Sequence, residues 1–143
     1  MLFFLSSESE APAAYLINKL CILVEPELNC LNLNKYGDEI NKIFIISVVL
    51  KKDTIENGVK ERRLFSRKTK EADIRLFIDF DGFVKASPRE RYKIYVSHIF
   101  ECMDVIKLKV SKNYQIDFLV QDMKKILSDP ILVEKCSTIS RFV

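Results

Sequence analysis

Glycine and proline are scarce in this chain, and their scarcity excludes one class of binding site. Only three glycines and four prolines occur among 143 residues. Gly37, Gly58 and Gly82 stand apart from one another, so the sequence contains no glycine-rich loop of the kind that holds a phosphate group. So few turn-forming residues also make long flexible linkers unexpected. A single domain is the natural prediction for a chain of this length.

Residues suited to metal binding or nucleophilic catalysis are also few. His98 is the only histidine, and the four cysteines form no CxxC pair and show no zinc-like spacing. Cys102 follows His98 by four residues, which would place both side chains on one helical face, and a Cys-His pair can act as a nucleophile. No third orienting group is evident, so a cysteine at the edge of the core is the favoured interpretation. We therefore predict no catalytic residue, no metal and no cofactor.

Long apolar runs are absent as well. No segment approaches the roughly 20 apolar residues that a membrane-spanning helix requires. The apolar start at residues 2–5 is soon interrupted by Glu8 and Glu10, and it lacks the basic segment that begins a signal peptide. The cysteines show no disulfide pattern and are expected to be reduced thiols. These features predict a soluble, cytoplasmic protein with no membrane partner.

No strong excess of one charge is present either. The 23 basic and 20 acidic side chains give a formal net charge of +3. This balance is too weak to indicate nucleic acid by bulk electrostatics, although a local basic patch could still bind it. Apolar residues make up 48% of the chain, which is the ordinary proportion for a globular protein with a packed core.

Amphipathic helical patterns are what the sequence does contain. Apolar residues at three-to-four spacing predict a helix that begins after Ser9, its expected N-cap, and that Pro26 should end or kink. Ser87-Pro88-Arg89-Glu90 predicts the start of a long helix, because serine caps, proline tolerates the first position and glutamate completes a capping box. A last helix is expected from about Asn113 until Asp129-Pro130 stops it.

The remaining ordered stretches have the patterns of strands. Residues 43–50, IFIISVVL, are apolar on both faces and rich in β-branched side chains, which favours a central strand. Residues 2–5 predict a short strand covered on both faces. Residues 72–80 alternate strictly between apolar and mainly polar side chains, which is typical of a strand with one buried face. The extended segment at residues 62–69 either pairs with them as a hairpin, which we prefer, or continues into one long bent strand.

These elements predict an α+β fold with two layers. We expect an antiparallel sheet of about four strands that carries helices mainly on one face, in the order β-α-β-β-β-α-α. The chain is expected to form a single domain, residues 1–143, within which residues 128–143 could pack loosely. The other face of the sheet is then available to solvent or to a partner, and it carries Arg63, Arg67, Asp73, Arg75 and Asp79.

The most distinctive charged feature of the sequence is a cluster of basic residues beside two phenylalanines. It could bind single-stranded nucleic acid through phosphate contacts and base stacking. It could equally be a solvated strand edge, where basic residues discourage aggregation, or a protein-docking face. Acidic neighbours on the same strands would neutralise much of it, so nucleic acid is the less favoured partner. The cluster and its phenylalanines are Lys60, Arg62, Arg63, Arg67, Lys68, Lys70, Phe65 and Phe77.

The same region carries a resemblance to a known family. Its motifs are Glu61-Arg62-Arg63, Arg67-Lys68, Lys70-Glu71-Ala72-Asp73-Ile74-Arg75-Leu76 and Ile78-Asp79-Phe80, followed by the capped helix. The opening FFLSSE and the segment Tyr36-Gly37-Asp38 are also similar. With these motifs the sequence resembles the immunity-protein-44 family of bacterial polymorphic toxin systems.

The resemblance implies a small non-enzymatic inhibitor, encoded beside a toxin and often part of contact-dependent growth inhibition. Such a protein binds the C-terminal domain of its cognate toxin and blocks the active site or the access of substrate. On the surface argument given above, we expect toxin contacts at Arg63, Arg67, Asp73, Arg75 and Asp79. The alternative is a small single-stranded nucleic-acid-binding module that uses the basic segment at residues 60–70.

Overall fold

A computed structural model describes residues 2–32, 36, 43–51, 58–66, 71–108 and 113–139. Among the described residues, strands come first along the chain, with one helix between the first two, and helices make up the second half. The elements are β1 (Leu2–Glu8), α1 (Ala13–Leu28), β2 (Ile43–Lys51), β3 (Gly58–Ser66), β4 (Glu71–Asp79), α2 (Phe80–Lys85), α3 (Pro88–Lys107), α4 (Asn113–Leu127) and α5 (Pro130–Ser137).

The sheet has the strand order β1-β2-β4-β3. β1 runs parallel to β2, with Leu2 opposite Ile43, and β2 runs parallel to β4, with Ile43 opposite Glu71. β3 pairs with β4 in the antiparallel sense, with Ser66 opposite Glu71. The interpretation of residues 62–69 as one arm of a hairpin is therefore confirmed, although residues 67–70 lie outside the described part of the chain.

Our prediction of an antiparallel sheet is wrong, because β1, β2 and β4 form an all-parallel block of three strands. The physical reason lies in the connections. A helix that follows a strand returns the chain to the edge where the strand began, so β2 starts beside the start of β1. β3 likewise carries the chain back, and β4 then enters the sheet between β2 and β3. The alternation of side chains within a strand contains no information about these directions.

The position of each strand explains how far it is covered. β2 lies between β1 and β4, so the prediction of a central strand at residues 43–50 is confirmed. β1 lies at the edge of the sheet, and Phe4 is 46% exposed. The expectation that residues 2–5 are covered on both faces is therefore wrong.

The core lies between one face of the sheet and the helices. Alternate side chains of β1, β2 and β4 are buried on this face, and Phe3 of β1 stacks on Phe44 of β2 with ring centroids 4.9 Å apart. α1 packs on β1, α3 packs on β3 and β4, and α4 and α5 pack on α1 and α3. None of the helices in the described ranges combines the length and the apolar character that crossing a bilayer requires.

The helix boundaries follow the capping signals only in part. Ser87 caps α3 and accepts a hydrogen bond from Glu90 N at 3.2 Å, as predicted. Ser9 does not cap α1, which begins at Ala13, and α1 continues through Pro26 instead of ending before it. Pro26 lies in the last turn, so its missing N–H interrupts the helix only near its end. The short helices α2 and α5 were not predicted.

Candidate functional site

The candidate site is the sheet face that points away from the helical core, here called the open sheet face. Side chains of a strand alternate between faces, so the positions between the buried ones of β1, β2 and β4 share this surface. The parallel register brings them into rows across the three strands: Phe4, Ile45 and Asp73; Ser6, Ser47 and Arg75; and Glu8, Val49 and Phe77. Asp79 follows at the end of β4.

Apolar side chains occupy much of the open sheet face. Phe4 is 46% exposed, while Ile45, Val49 and Phe77 are half-buried. Among the described residues, none of these four belongs to the apolar cluster that fills the space beneath the helices. Apolar side chains that remain in contact with water on a rigid sheet are typical of a surface that associates with another protein.

A cross-strand ion pair lies over the middle of this face. Arg75 Nη2 of β4 donates a hydrogen bond to Glu8 Oε2 of β1 at 2.9 Å, so the arginine side chain reaches across β2. The Arg75 guanidinium also lies 5.7 Å from the centre of the Phe77 ring. Glu8 is largely exposed, and a pair of this kind contributes at most about 1 kcal/mol to stability. The pair therefore positions charge on the surface more than it stabilises the fold.

Asp73 contributes a carboxylate whose hydrogen bonding is incomplete among the described residues. Its Oδ1 is buried and has no hydrogen-bond partner among the residues that the structure describes. A buried acceptor without a donor costs about 1–3 kcal/mol, a cost that a donor from a partner would remove. Asp73 shares its row with Phe4 and Ile45, and Ile45 of β2 lies between this acceptor and the exposed aromatic ring.

Asp79 has a structural role at the end of β4. Its Oδ2 accepts a hydrogen bond from Gly82 N at 2.8 Å and caps α2. A Cβ added at Gly82 would lie 2.9 Å from the same oxygen, so glycine leaves the space in which this cap forms. The Asp81-Gly82 pair therefore lies in the first turn of α2, and the Asp79 carboxylate is engaged in the cap of this helix.

The structure does not describe the side chains of the two remaining predicted contact residues. Arg63 lies in β3 at an irregularity of the register between Arg62 and Leu64, and its side chain is not among those described. Arg67 lies outside the described residues, as do Lys68 and Lys70 of the basic cluster. Of the five predicted residues, the structure thus places Asp73, Arg75 and Asp79 along one strand of the open sheet face.

The Cys-His pair on α3 lacks the properties of a nucleophilic site. Cys102 is fully buried, and burial raises the pKa of its thiol well above the ordinary value of 9.0. The thiolate that would attack a substrate is therefore disfavoured. His98 Nδ1 lies 2.7 Å from Ile94 O, a carbonyl of the same helix. Within the described ranges, no cluster of three or more histidine, cysteine, aspartate or glutamate side chains could hold a metal ion.

Sequence reasoning missed two members of the open sheet face, Phe4 and Glu8. The alternation of LFFLSSE separates Phe3 and Leu5 from Phe4, Ser6 and Glu8, so the signal is present in the sequence. The apolar run at residues 2–5 instead predicts a strand buried on both faces, and this prediction conceals the alternation. The pairing of Glu8 with Arg75 additionally requires the strand order, which the alternation does not contain.

Comparisons with known proteins give this surface a context. No curated protein and no solved structure matched the chain significantly. The family model described as Immunity protein 44 matches residues 1–129, which include the strands β1 to β4 and the helices α1 to α4. A match over that much of the chain establishes membership, and the protein belongs to the Immunity protein 44 family.

Proposed function

We propose that this protein neutralises a cognate bacterial toxin by binding the toxin's C-terminal domain with its open sheet face. The family supports a role as an immunity protein, which acts as an inhibitor rather than an enzyme. In the bacterial cytoplasm, a complex of this kind would block the toxin's active site or the access of its substrate. Systems of polymorphic toxins and contact-dependent growth inhibition are the expected setting.

The observation that carries the proposal is the combination of apolar and charged groups on one rigid surface. Phe4 offers an exposed aromatic side chain, and residues of this kind supply much of the binding energy in protein interfaces. Asp73, two strands away in the same row, offers an acceptor that has no partner among the described residues, and Arg75 with Glu8 offers a charged pair. Three parallel, hydrogen-bonded strands hold these groups in place, so little conformational entropy is lost on binding.

The charge of this surface favours a partner of a particular character. Its described charged side chains are three carboxylates, Glu8, Asp73 and Asp79, and one guanidinium, Arg75. Complementary charge accelerates association and sets specificity, so we expect the toxin to present lysine or arginine side chains to the Asp73 end of the face. Such a contact would supply a hydrogen-bond donor to Asp73 Oδ1, which has none among the residues that the structure describes.

The first test is co-purification with the toxin domain encoded beside the gene, followed by calorimetry. We expect a one-to-one complex with a dissociation constant below about 100 nM, or about 9.5 kcal/mol of binding free energy. Phe4→Ala should weaken this complex at least tenfold, because it removes the exposed aromatic side chain of the face. The matched control is Phe118→Ala on α4, which removes a phenylalanine that is 56% exposed on the helical side.

Two results would contradict the proposal at different levels. If the neighbouring toxin domain does not bind, the inhibitory function itself is wrong. If it binds with equal affinity to the Phe4→Ala and Phe118→Ala variants, both correctly folded, the function stands and the docking face is wrong.

Charge removal at the end of β4 is best tested with Asp79→Asn, since asparagine retains an acceptor that can cap α2.

The nucleic-acid alternative receives less support. Its basic segment lies in β3, where side chains are not described, and in residues outside the described part of the chain. The carboxylates of the open sheet face would repel phosphate groups. Affinity for single-stranded oligonucleotides in the absence of toxin binding would favour this alternative.

A further inference from the structure

A second surface lies on the helical side of the molecule, between α3 and the α4–α5 junction. Here two adjoining cavities of about 500 and 480 Å³ form a groove, and both are lined by Arg89 and Val133. A groove of this volume is large enough to enclose a side chain of a bound peptide. The further side chains of the larger cavity are Tyr92, Lys93, Val96, Ser97, Leu127 and Ser128.

The floor of the groove is apolar and firmly held. The Tyr92 hydroxyl donates a hydrogen bond to Leu127 O at 2.6 Å, so its polar end is satisfied and the ring contributes apolar surface. Val96 and Val133 lie half-buried on either side. Asp129 caps α5 through Leu132 N at 3.3 Å. Because both walls are anchored in this way, the groove is a preformed feature of the fold.

The rim on the α3 side is basic. Arg89 and Lys93 are one helical turn apart and both exposed, and neither forms an ion pair within the described part of the chain. Glu134 lines the adjoining cavity on the α5 side, so the positive charge is concentrated over the α3 wall. The positive charges of Arg89 and Lys93 above an apolar floor match a ligand that carries carboxylates next to an apolar side chain.

The groove is also separate from the surface assigned to the toxin. It is built by helices, whereas the open sheet face points away from them. The family model matches residues 1–129, and α5 begins at Pro130, so one wall lies beyond the matched part of the chain. The groove therefore does not follow from family membership.

We propose that this groove is a docking site for an acidic polypeptide segment of a partner protein. One leucine or phenylalanine of the segment enters the larger cavity, and flanking aspartate or glutamate side chains pair with Arg89 and Lys93. The site stands independently of toxin binding, because it uses no residue of the open sheet face.

The test uses a short fluorescein-labelled peptide in which leucine and phenylalanine are flanked by aspartates, titrated with the full chain and followed by anisotropy. We expect saturable binding, with nuclear magnetic resonance shifts confined to the residues of the groove. Arg89→Glu with Lys93→Glu should weaken binding at least tenfold. The matched control, Lys19→Glu with Lys125→Glu, applies the same change of charge at exposed residues of α1 and α4 and should leave binding within twofold.

Three outcomes would overturn the proposal. The first is the absence of saturable binding by the aspartate-flanked peptide. The second is equal binding of a peptide whose aspartates are replaced by lysines, which would show that the basic rim does not select the ligand. The third is equal loss of affinity in the two double variants, which would show a general effect of net charge. Circular dichroism and thermal melting of each variant establish that it is folded before binding is measured.

Discussion

Arg91 connects three segments through its buried guanidinium. Its Nε donates to Phe83 O and its Nη2 to Val84 O, each at 3.1 Å, and its Nη1 donates to Ile139 O at 3.3 Å. The carbonyls of Phe83 and Val84 lie in the last turn of α2, where a helix leaves its carbonyl groups without internal partners. A cation placed there also complements the negative end of the helix. Arg91 thus ties α2 and the segment after α5 to α3.

We expect Arg91→Ala to lower the free energy of unfolding by about 3 kcal/mol. The substitution removes charge-assisted hydrogen bonds and leaves buried carbonyl groups without donors, and each such loss costs about 1–3 kcal/mol. Urea unfolding followed by circular dichroism measures the change. Arg89→Ala, which truncates an exposed arginine of the same helix, should change the stability by less than about 0.5 kcal/mol. Equal stability of the two variants would show that Arg91 has no such structural role.

Among the helices and strands, α3 is the element whose start and buried face its own sequence predicts most clearly. Ser87 adopts extended backbone and accepts from Glu90 N, while Pro88 takes the first helical position, where it loses no hydrogen bond. The apolar stripe then buries Tyr92, Ile99 and Met103. Local chemistry and periodicity agree in this helix, which is why its start and its buried face could be predicted.

Ser87→Ala is expected to destabilise the protein by about 1 kcal/mol, because alanine cannot accept the hydrogen bond that caps α3. Ser87→Asp keeps an acceptor at the same position and adds a negative charge at the helix N-terminus, so it should retain or exceed the stability of the natural chain. Chemical denaturation of both variants gives the comparison. A loss of stability as large in Ser87→Asp as in Ser87→Ala would contradict the assignment of a cap.

Strands were less predictable than helices for a physical reason. The alternation along β4 predicted correctly that Asp73, Arg75 and Asp79 share a face, and the apolar composition of residues 43–50 predicted a central strand. Strand direction depends on the connections and on packing against helices, and these are not local properties. The parallel block and the pairing of Glu8 with Arg75 therefore emerged only from the three-dimensional arrangement.

Capping signals also failed where tertiary contacts compete for the same atom. Ser9 is a good N-cap by type, yet its Oγ accepts a hydrogen bond from Leu50 N of β2 at 3.3 Å and donates one to Glu8 O at 2.7 Å. A side chain occupied by the sheet cannot also cap the helix, and α1 begins four residues later, at Ala13. The rule for serine caps is sound, but the sequence does not reveal which backbone group the hydroxyl will meet.

The molecule as a whole separates binding surface from core. The open sheet face and the groove beside α3 lie on different layers, and the cluster between the layers contains three buried cysteines and the fully buried Tyr95. The Tyr95 hydroxyl donates to Cys21 Sγ at 3.4 Å. The side chains substituted to test the two surfaces, Phe4, Arg89 and Lys93, are exposed and lie outside this cluster, so the effects of these variants on binding can be measured in a folded protein.

The buried thiols make the stability of the whole molecule sensitive to alkaline pH. Burial raises the pKa of Cys21 from 9.0 to about 11 and that of Cys136 to about 12, and it raises the pKa of Cys102 as well. Each thiol is therefore held in its protonated form more strongly in the folded chain than in the unfolded chain. The associated stability is complete below the unfolded value of 9.0 and is lost as the pH rises toward the folded pKa.

We expect the free energy of unfolding to be nearly constant up to about pH 8 and to fall by about 1 kcal/mol for each buried thiol by about pH 10. Urea unfolding at a series of pH values measures this slope. Cys21→Ala removes one buried thiol, so the fall in the free energy of unfolding between these pH values should be smaller by the contribution of one thiol, whatever the effect of the substitution at neutral pH. Cys30→Ala changes an exposed cysteine and should leave the slope unchanged. If stability at about pH 10 equals that at about pH 8, the core does not hold these thiols in their protonated form.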